Sequence, residues 1–424
     1  MTTSFSRIGS ANTYDNALRN LSTRQSALSN LQENLTSGKK VVRASDDPTG
    51  AAQAERALNR ISRIATDQRA LESQRNSIAM AESTLGDVTD ALQSFRELVV
   101  SAGNGTHTAA DRKTIALQLT GLRDQIFAAA NTKDTNGQPL FSALGSALVP
   151  FVGPQTTAPD YKFNGLPGQS ASSEVWIPFA LDGDGAFMLQ SARDGAYNAN
   201  MSNSPTAPQL QTGAVTLTPP PTPPILVPGS SYAIKFTSVD STTVPGTTTA
   251  IYGITETPIA PGVPAVIAPV SVSYPTGKSA SITVTGMPGL SVTLTGTPAV
   301  NDTVTVKPNP SLFSVLNNAI NDIGNAADGN AATQAVSQAL GNIDIGMGRV
   351  SAVRGQAGDL LNRADRITSN QEARSIQLEA DRSRAEDLDM VKGISDFQKA
   401  QTGYQAALQS YAQVQKLSLF NYIG

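Results

Sequence analysis

Apolar residues recur at seven-residue spacing near both ends of this chain, and this pattern constrains the fold more than any other feature. Such a repeat is typical of helices that pair along a seam. The seam positions near the start are Tyr14, Leu21, Leu28, Leu31 and Leu35. Those near the end are Phe397, Tyr404, Leu408, Tyr411 and Val414. We expect the two ends to pair with one another. For the first repeat alone, which Arg24 interrupts, an ordinary amphipathic helix within its own domain fits equally well.

Helix punctuation divides the N-terminal part of the chain into three helices. Gly38 is placed to end the first helix, because glycine adopts the left-handed conformation without steric cost. Asp47 is a suitable cap for the second helix, and Pro48 suits its first turn, where no N–H donor is needed. The helical pattern then continues to about residue 102, a length of roughly 80 Å. A third helix, capped by Thr108 or Asp111, should end near residue 131.

The middle of the chain, residues 133–310, changes to a composition rich in Thr, Val, Ser, Pro and Gly. Alternating stretches such as SASITVTGMPGLSVTLTG predict short strands joined by turns. Between residues 241 and 301 the only charged residues are Glu256 and Lys278. The proline-rich stretch at 218–229 is a stiff connector that could separate two β subdomains. A disordered, low-complexity segment is the alternative interpretation.

Helical composition returns near residue 311. We expect one long helix over 312–367, with a possible break at 341–348, and a second helix over 368–419. The predicted fold class is therefore α+β, a long helical coiled-coil rod built from both chain ends with a central all-β insert of one or two small subdomains. The predicted domains are an N-terminal coiled-coil arm (1–40), two parts of a helical rod (41–132 and 311–385), the β insert (133–310) and a C-terminal arm (386–424).

Composition excludes several functions. The chain has no cysteine, so disulfides, thiolate metal sites and cysteine nucleophiles are absent. A net charge of −3 and a pI near 5.4 do not fit a nucleic-acid binder. The sequence lacks an apolar run long enough to cross a membrane, and residues 1–12 lack the apolar core of a secretory signal. These rules predict a cytoplasmic protein, unless a dedicated apparatus exports the chain unfolded.

No residue pattern predicts catalysis. His107, the single histidine, lies in a polar loop without partners at a catalytic or metal-binding spacing. Asp182 and Asp184 stand among glycines as in part of a calcium loop, but the remaining ligands of that pattern are missing, which favours a hairpin turn. We therefore expect no catalytic residues, no metal site and no cofactor.

Two further groups of residues have ordinary structural interpretations. Gly346, Gly348 and Ser351 imitate a fragment of a dinucleotide fingerprint, but they lie in a helical region without a preceding strand, so a helix irregularity is the better interpretation. Glu386, Asp387 and Asp389 form an acidic run, which most often is a solvated face or pairs with nearby arginines.

Several motifs resemble the bacterial flagellin family. LTSGKKVVRASDDPTGAA resembles the segment after the family's first helix. VRGQAGDLLNRAD is similar to the penultimate helix, and SRAEDLDMVKGISDF to the last one. The first motif carries the family loop residues Ser37, Gly38, Lys39, Asp46, Asp47 and Pro48. Within the family, Asp46-Asp47-Pro48 and the terminal Leu-Ser-Leu-Phe at 417–420 favour hook-associated members at the hook–filament junction over filament flagellin.

The resemblance implies a structural role rather than an activity. It implies a secreted protein that passes unfolded through the flagellar export channel and assembles as a ring between hook and filament. Its partners would be further copies of itself, the neighbouring hook-associated junction protein, the hook-side or filament-side proteins, and an export chaperone at the C-terminal helix. Lys39, Lys40 and Arg43 are candidate contacts to neighbouring subunits, although a solvated basic loop explains them equally well.

Two alternative functions remain open from the sequence. The first is filament flagellin, which shares the family motifs. The second is a surface adhesin or binding module carried by the β insert. An enzyme is disfavoured because no nucleophile, base or metal set converges.

Overall fold

The computed structural model describes residues 10–157, 159–202, 210–217, 229–258 and 265–423, and helices from both chain ends flank a β-rich middle. This arrangement confirms the predicted fold class. The proline-rich stretch falls largely outside the described residues. Across the part that the structure describes, no helix combines the length and the apolar composition that crossing a membrane requires.

The three N-terminal helices lie where the sequence predicts them. They are α1 (Ser10–Ser37), α2 (Pro48–Ala102) and α3 (Ala109–Ala130). Gly38 follows α1 with a φ of +71°, the left-handed conformation expected of a terminating glycine. Thr108 caps α3 in a capping box: its hydroxyl accepts from the Asp111 amide at 3.2 Å, and the Asp111 carboxylate accepts from the Thr108 amide at 2.8 Å.

The C-terminal helices break at positions other than those predicted. They are α6 (Leu312–Gly324), α7 (Gly329–Glu386) and α8 (Met390–Ile423). The predicted break at 341–348 is wrong, because α7 runs through it. A side chain at Gly346 would overlap that of Leu312, so this glycine allows close packing rather than a break. The predicted boundary at residue 367 is also wrong: Asp328 caps α7 through the Ala331 amide at 2.8 Å, and α7 ends only at Glu386.

The β-rich middle holds eleven strands in the described residues. They are β1 (Phe151–Val152), β2 (Lys162–Phe163), β3 (Tyr197–Ser202), β4 (Leu210–Thr212), β5 (Thr216–Leu217), β6 (Ser231–Val244), β7 (Thr247–Thr257), β8 (Ala265–Pro275), β9 (Ala280–Val284), β10 (Leu290–Gly296) and β11 (Thr303–Pro308). Two short helices, α4 (Gly183–Phe187) and α5 (Ser191–Asp194), precede β3. The hairpin turn predicted at Asp182 and Asp184 is therefore wrong, because this segment forms α4.

The strands form three antiparallel sheets. One contains β1 and β2, a second has the order β3-β11-β6-β7-β8, and in a third β10 pairs with β4, β5 and β9. The proline-rich stretch does not divide the insert into two subdomains, because β4 and β5 before it pair with β10 after it. The alternating burial along β7 follows the two-residue period of a strand with one buried face.

Inward-facing residues of the two larger sheets form one apolar cluster. Ile234, Phe236 and Tyr252 are fully buried on the five-stranded sheet, and Val292 and Leu294 on the sheet built around β10. The Phe236 and Tyr252 rings are tilted against each other at 5.8 Å. Full burial of a large side chain contributes about 1.5 to 3 kcal/mol. The Thr-rich insert therefore has a packed core.

The chain divides into two compact units, one formed by Met1–Ala70 with Ile367–Gly424 and the other by Leu71–Arg366. The first contains α1 and α8, and the second contains the whole β insert. The five-part division inferred from the sequence is finer than this and stays a proposal.

Candidate assembly site at the paired chain ends

Helices α1 and α8 pack against each other, as expected from the matching repeats. The described seam side chains in α1 are half-buried: Leu21, Leu28, Leu31 and Leu35. In α8 the half-buried positions of the repeat are Phe397, Tyr404 and Tyr411. Tyr14 and Val414 belong to these helices, but their side chains lie outside the part that the structure describes. Each described seam residue thus keeps some contact with solvent.

Two glycines of α8 let this helix approach its neighbours closely. A Cβ at Gly393 would lie 2.8 Å from Leu388 Cδ2 and 3.2 Å from Leu35 Cδ2, so the last seam leucine of α1 packs on bare backbone. A Cβ at Gly403 would lie 3.0 Å from the Arg24 guanidinium. Arg24, which interrupts the apolar repeat of α1, therefore lies over a position without a side chain.

Helix α8 also carries apolar side chains outside the seam. Val391 is 83% exposed, Met390 45% and Ile394 46%. Leu408, which the sequence assigns to the seam, is 43% exposed. On α1, Leu18 is 42% exposed. Scattered exposed apolar residues are ordinary, whereas a contiguous patch of them is typical of an interaction site. Among the described residues, the pairing of α1 with α8 leaves these side chains of α8 uncovered.

The loop between α1 and α2 is fastened to the junction between α7 and α8. Lys39 forms an isolated antiparallel bridge with Asp387, and the Leu388 amide donates to the Gly38 carbonyl at 2.9 Å. The Lys40 amide donates to the Glu386 carbonyl at 2.8 Å. We refer to residues 37–48 and 384–389 as the clamp. The clamp joins two segments that are far apart in sequence through backbone hydrogen bonds.

Side chains reinforce the clamp. The Lys39 ammonium forms an ion pair with Glu386, whose side chain is 13% exposed. The Lys40 ammonium donates to the Arg384 carbonyl at 2.7 Å. Arg43 pairs with Glu33 of α1 at 2.8 Å. These three basic residues, which the sequence suggested as intersubunit contacts, are thus all engaged within the chain.

The two aspartates before Pro48 have separate tasks. Asp46 accepts hydrogen bonds from the amides of Val42 and Arg43, at 3.2 and 2.8 Å, and closes the loop on itself. Asp47 caps α2 by accepting from the Thr49 amide at 3.1 Å and from the Thr49 hydroxyl at 2.6 Å. The hydrogen bond from the Thr49 side chain is the main reason that the pKa of Asp47 lies below its usual value.

Gly50 was not singled out from the sequence, and Glu386 was considered only as part of an acidic run, whereas it pairs with Lys39. A Cβ at Gly50 would lie 2.5 Å from the Asp47 carboxylate and 3.2 Å from the Ala385 carbonyl, so a side chain there would disturb both the cap and the contact with α7. A signal was available, because Gly50 stands in the first turn of a predicted helix, where glycine is otherwise unfavourable. The sequence offered no comparable signal for the pairing of Glu386 with Lys39, since the two residues are 347 positions apart.

The penultimate-helix motif lies in the other unit. Arg354 pairs with Glu82 of α2 at 2.8 Å, and Arg363 donates to the Ser173 carbonyl at 3.1 Å. These contacts fasten α7 to its neighbours within that unit.

The residues considered for chemistry are engaged in local structure. The His107 carbonyl accepts from Arg112 at 2.8 Å in the turn before α3. Burial raises the pKa of Asp184, which lies in α4. Within the described ranges, no group of three or more His, Cys, Asp or Glu side chains is placed to hold a metal ion.

Comparison with known proteins identifies the family. Residues 8–145 match the N-terminal helical region of bacterial flagellins, and residues 340–423 match the C-terminal helical region. Together these two matches cover more than half of the chain, and they include both halves of the clamp.

Individual relatives cover a smaller part. Flagellar hook-associated protein 3 of Salmonella typhimurium is 34% identical over 148 residues, which are 34% of this chain and 46% of that protein. The protein of the same name from Escherichia coli is 36% identical over 141 residues, 32% of this chain and 44% of that protein. The chain thus spans less than half the length of these relatives.

The fold also matches solved structures. The crystal structure of flagellar hook-associated protein 3 from Legionella pneumophila superposes with a TM-score of 0.58 at 22% identity, covering 77% of this chain and 97% of that one. At this identity the likeness establishes the fold. Because the family's N-terminal and C-terminal helical regions match this chain in that order and over more than half of its length, the chain belongs to the bacterial flagellin family.

Proposed function

We propose that this chain is a structural protein of the bacterial flagellum that assembles as a ring between hook and filament through its terminal helices. The observation that carries the proposal is the apolar surface of α8, where Val391 and its neighbours stay exposed although α8 packs against α1. A neighbouring subunit that covers this surface would stabilise the assembly by about 25 cal/mol for each Å² of apolar area buried.

The clamp gives the terminal helices a fixed base. Because the backbone bonds of Gly38 and Lys40 tie the end of α1 to the start of α8, the two helices leave the clamp together. The half-buried seam beyond it can then complete its packing against another subunit. Assembly in this scheme is coupled to ordering of the helices, and the neighbour supplies the apolar surface that one chain lacks.

The relatives named flagellar hook-associated protein 3 favour the junction role over a filament role, as does the Asp46-Asp47-Pro48 sequence at the clamp. The proposal includes export through the flagellar channel, an extracellular location, and contacts with a second hook-associated protein and with the filament. It also includes a chaperone that masks α8 before export. No enzymatic activity is part of it.

A matched pair of substitutions tests the proposal. Val391 on α8 and Val266 on β8 are 83% and 77% exposed, so an aspartate at either position costs the monomer little. In a bacterium lacking its own hook-associated protein 3, we expect the unaltered chain and the Val266→Asp variant to restore attached filaments. Val391→Asp should instead leave filament protein in the medium.

Leu28→Asp and Tyr404→Asp, which alter the seam itself, should behave like Val391→Asp while the β insert stays folded. Normal swimming of bacteria that carry any of the three variants would contradict the proposed assembly surface. If purified chain added to filament seeds extends them without limit, instead of stopping after a short layer, the chain is a filament flagellin.

A further inference from the structure

A polar cleft lies in the unit that holds the β insert. Its volume is about 320 Å³, and it opens between strands β3 and β4 and the turn that joins α6 to α7. This size is at the lower end of the range for small-molecule sites. Nothing in the proposed junction role uses it.

Six amide side chains line this cleft without a hydrogen bond to any described residue: Asn200, Gln211, Asn321, Asn325, Asn330 and Gln334. Each side-chain amide offers two donors and a carbonyl acceptor. A single free amide on a surface is ordinary. Six around one concavity provide many hydrogen-bonding groups without a partner among the described residues. Gln211 and Gln334 are half-buried, and the four asparagines are exposed.

The floor of the cleft is held rigidly by a seventh amide. Gln338 of α7 is 4% exposed, and its side chain accepts from the Ala199 amide at 2.9 Å and donates to the Ala199 carbonyl and the Thr212 hydroxyl, each at 2.5 Å. These bonds attach β3 and β4 to the helix. The free amides therefore project from a fixed frame, which lowers the entropy cost of binding a ligand.

A partly buried carboxylate lies beside the free amides. Asp322 accepts only one long bond from a described residue, from Asn198 Nδ2 at 3.3 Å, and burial raises its pKa. Asp322 also lines a small cavity of about 10 Å³ together with Asn309, which is 3% exposed and whose Nδ2 has no hydrogen-bond partner among the described residues. Such a cavity has room for about one water molecule. Asp322 is thus a half-buried acceptor with a single donor among the described residues.

The charge and the remaining lining restrict the ligand. The charged lining residues are Asp322 and Asp328, and no Lys or Arg is among the residues that form the cleft wall. Arg112 reaches the same turn, but its guanidinium donates to the carbonyls of His107 and Ala326. An anionic ligand would meet like charge without a cation to offset it. Half-buried Met201 adds apolar surface.

We infer that this cleft binds a neutral, hydroxyl-rich ligand of monosaccharide or disaccharide size. Vicinal hydroxyls can each donate and accept, which matches amides that offer both functions and a carboxylate that accepts two donors. The C–H face of a sugar ring can pack on the apolar wall. The insert would then add glycan binding to the junction role, and the two functions would be independent because their residues lie in different units.

The test is a titration of the full-length chain with lactose and with N,N′-diacetylchitobiose, observed through the side-chain amide signals of Asn and Gln in NMR spectra. We expect at least one of these sugars to cause saturable shifts of the cleft amides, with a dissociation constant on the order of 1 mM. The matched anionic sugar 3′-sialyllactose should bind more weakly than lactose.

The variant N321A/N330A should weaken binding about tenfold or more, since each lost amide removes hydrogen bonds worth about 1 kcal/mol. Asn370→Ala on the exposed face of α7 is the matched control and should bind like the unaltered chain. Absence of saturable shifts with both neutral sugars up to about 20 mM, well above a millimolar dissociation constant, would overturn the inference. Equal binding of the anionic sugar, or binding unchanged in N321A/N330A, would also overturn it.

Discussion

The paired terminal helices and the β insert differ in how completely they bury their apolar side chains within one chain. Among the residues of α1 and α8 whose burial the structure describes, only Gly393 is buried, and the seam side chains are half-exposed. In the insert, Leu294, Phe236 and Tyr252 are fully buried in a cluster shared by two sheets. The insert therefore completes its core within one chain, whereas the terminal helices do not.

This difference shows where stability and assembly reside. A region with a closed core is stable by itself, because the burial of its apolar side chains offsets the entropy of ordering them. A two-helix seam with half-exposed leucines gains much less, and its remaining apolar surface is available to a neighbour. The same chain thus combines a self-sufficient insert with ends suited to intermolecular packing.

The largest expected difference between the two regions is tested by a matched pair of truncated side chains, one in the insert and one in the seam. Leu294→Ala removes a fully buried side chain of the insert and should destabilise it by about 2 to 5 kcal/mol. Leu28→Ala removes a half-buried side chain of the seam and should cost the monomer about 1 kcal/mol. Amide exchange read by mass spectrometry for each region separates the two effects. Equal losses would show that the seam is as well packed as the insert.

A second substitution tests the close contact at the base of the terminal helices. Gly393→Ala places a Cβ 2.8 Å from Leu388 and 3.2 Å from Leu35, which should destabilise the pairing of α1 and α8 by about 1 to 3 kcal/mol. Gly358→Ala is the control: nothing lies within 4 Å, so the gain in helix propensity should stabilise α7 by up to about 1 kcal/mol. Thermal unfolding by circular dichroism measures both. If both variants gained stability, the close contact would be refuted.

The ion pair of the clamp should contribute less. Lys39→Met removes the partner of Glu386 and should lower the stability of the paired helices by at most about 1 kcal/mol, because the lysine is 43% exposed. Lys399 has a side chain that is 78% exposed and an ammonium 3.8 Å from Asp396, so Lys399→Met should have no measurable effect. Urea unfolding at low and high salt measures the difference, which salt should reduce. If Lys399→Met lowered the stability more than Lys39→Met, the ion pair of the clamp would contribute no more than an ordinary exposed pair.

The smallest expected effect concerns pH. Because the pKa of Asp47 is lowered in the folded chain, its ionised form stabilises the start of α2 above the unfolded pKa, near pH 4. That contribution is lost as the pH falls through the lower folded value. Asp47→Asn keeps a cap but does not titrate, so its stability should depend less on pH below about 4. Parallel pH curves for the two proteins between about pH 2 and pH 6 would exclude this role for Asp47.

The sequence predicts most of the helical framework because its signals are local. Gly38, Asp47-Pro48 and Thr108 mark helix ends through backbone conformation and hydrogen bonds to nearby amides. Local rules do not predict the positions of the helix breaks in the C-terminal half. Gly346 lies inside α7 because it makes room for Leu312, a tertiary contact that glycine content alone does not reveal.

The sequence likewise predicts only the local part of the candidate site, which is the seam of α1 and α8. The repeats indicate which positions of α1 and α8 face each other, but they do not distinguish Leu408, which is exposed, from Tyr404 beside it. The clamp depends on the bridge between Lys39 and Asp387 and on the ion pair with Glu386, and no spacing rule connects residues that far apart. The polar cleft likewise forms only where strands β3 and β4 meet the turn between α6 and α7.

Amide hydrogen exchange on the purified, full-length monomer is the most direct test of whether the insert is packed within one chain and the terminal helices are not. In the monomer we expect fast amide exchange over residues 10–37 and 397–423 and strong protection in strands β6, β7 and β10. In the assembled state the terminal helices should become protected while the insert changes little. Protection of the terminal helices equal to that of the insert in the monomer would contradict the account, because the seam would then be complete within one chain.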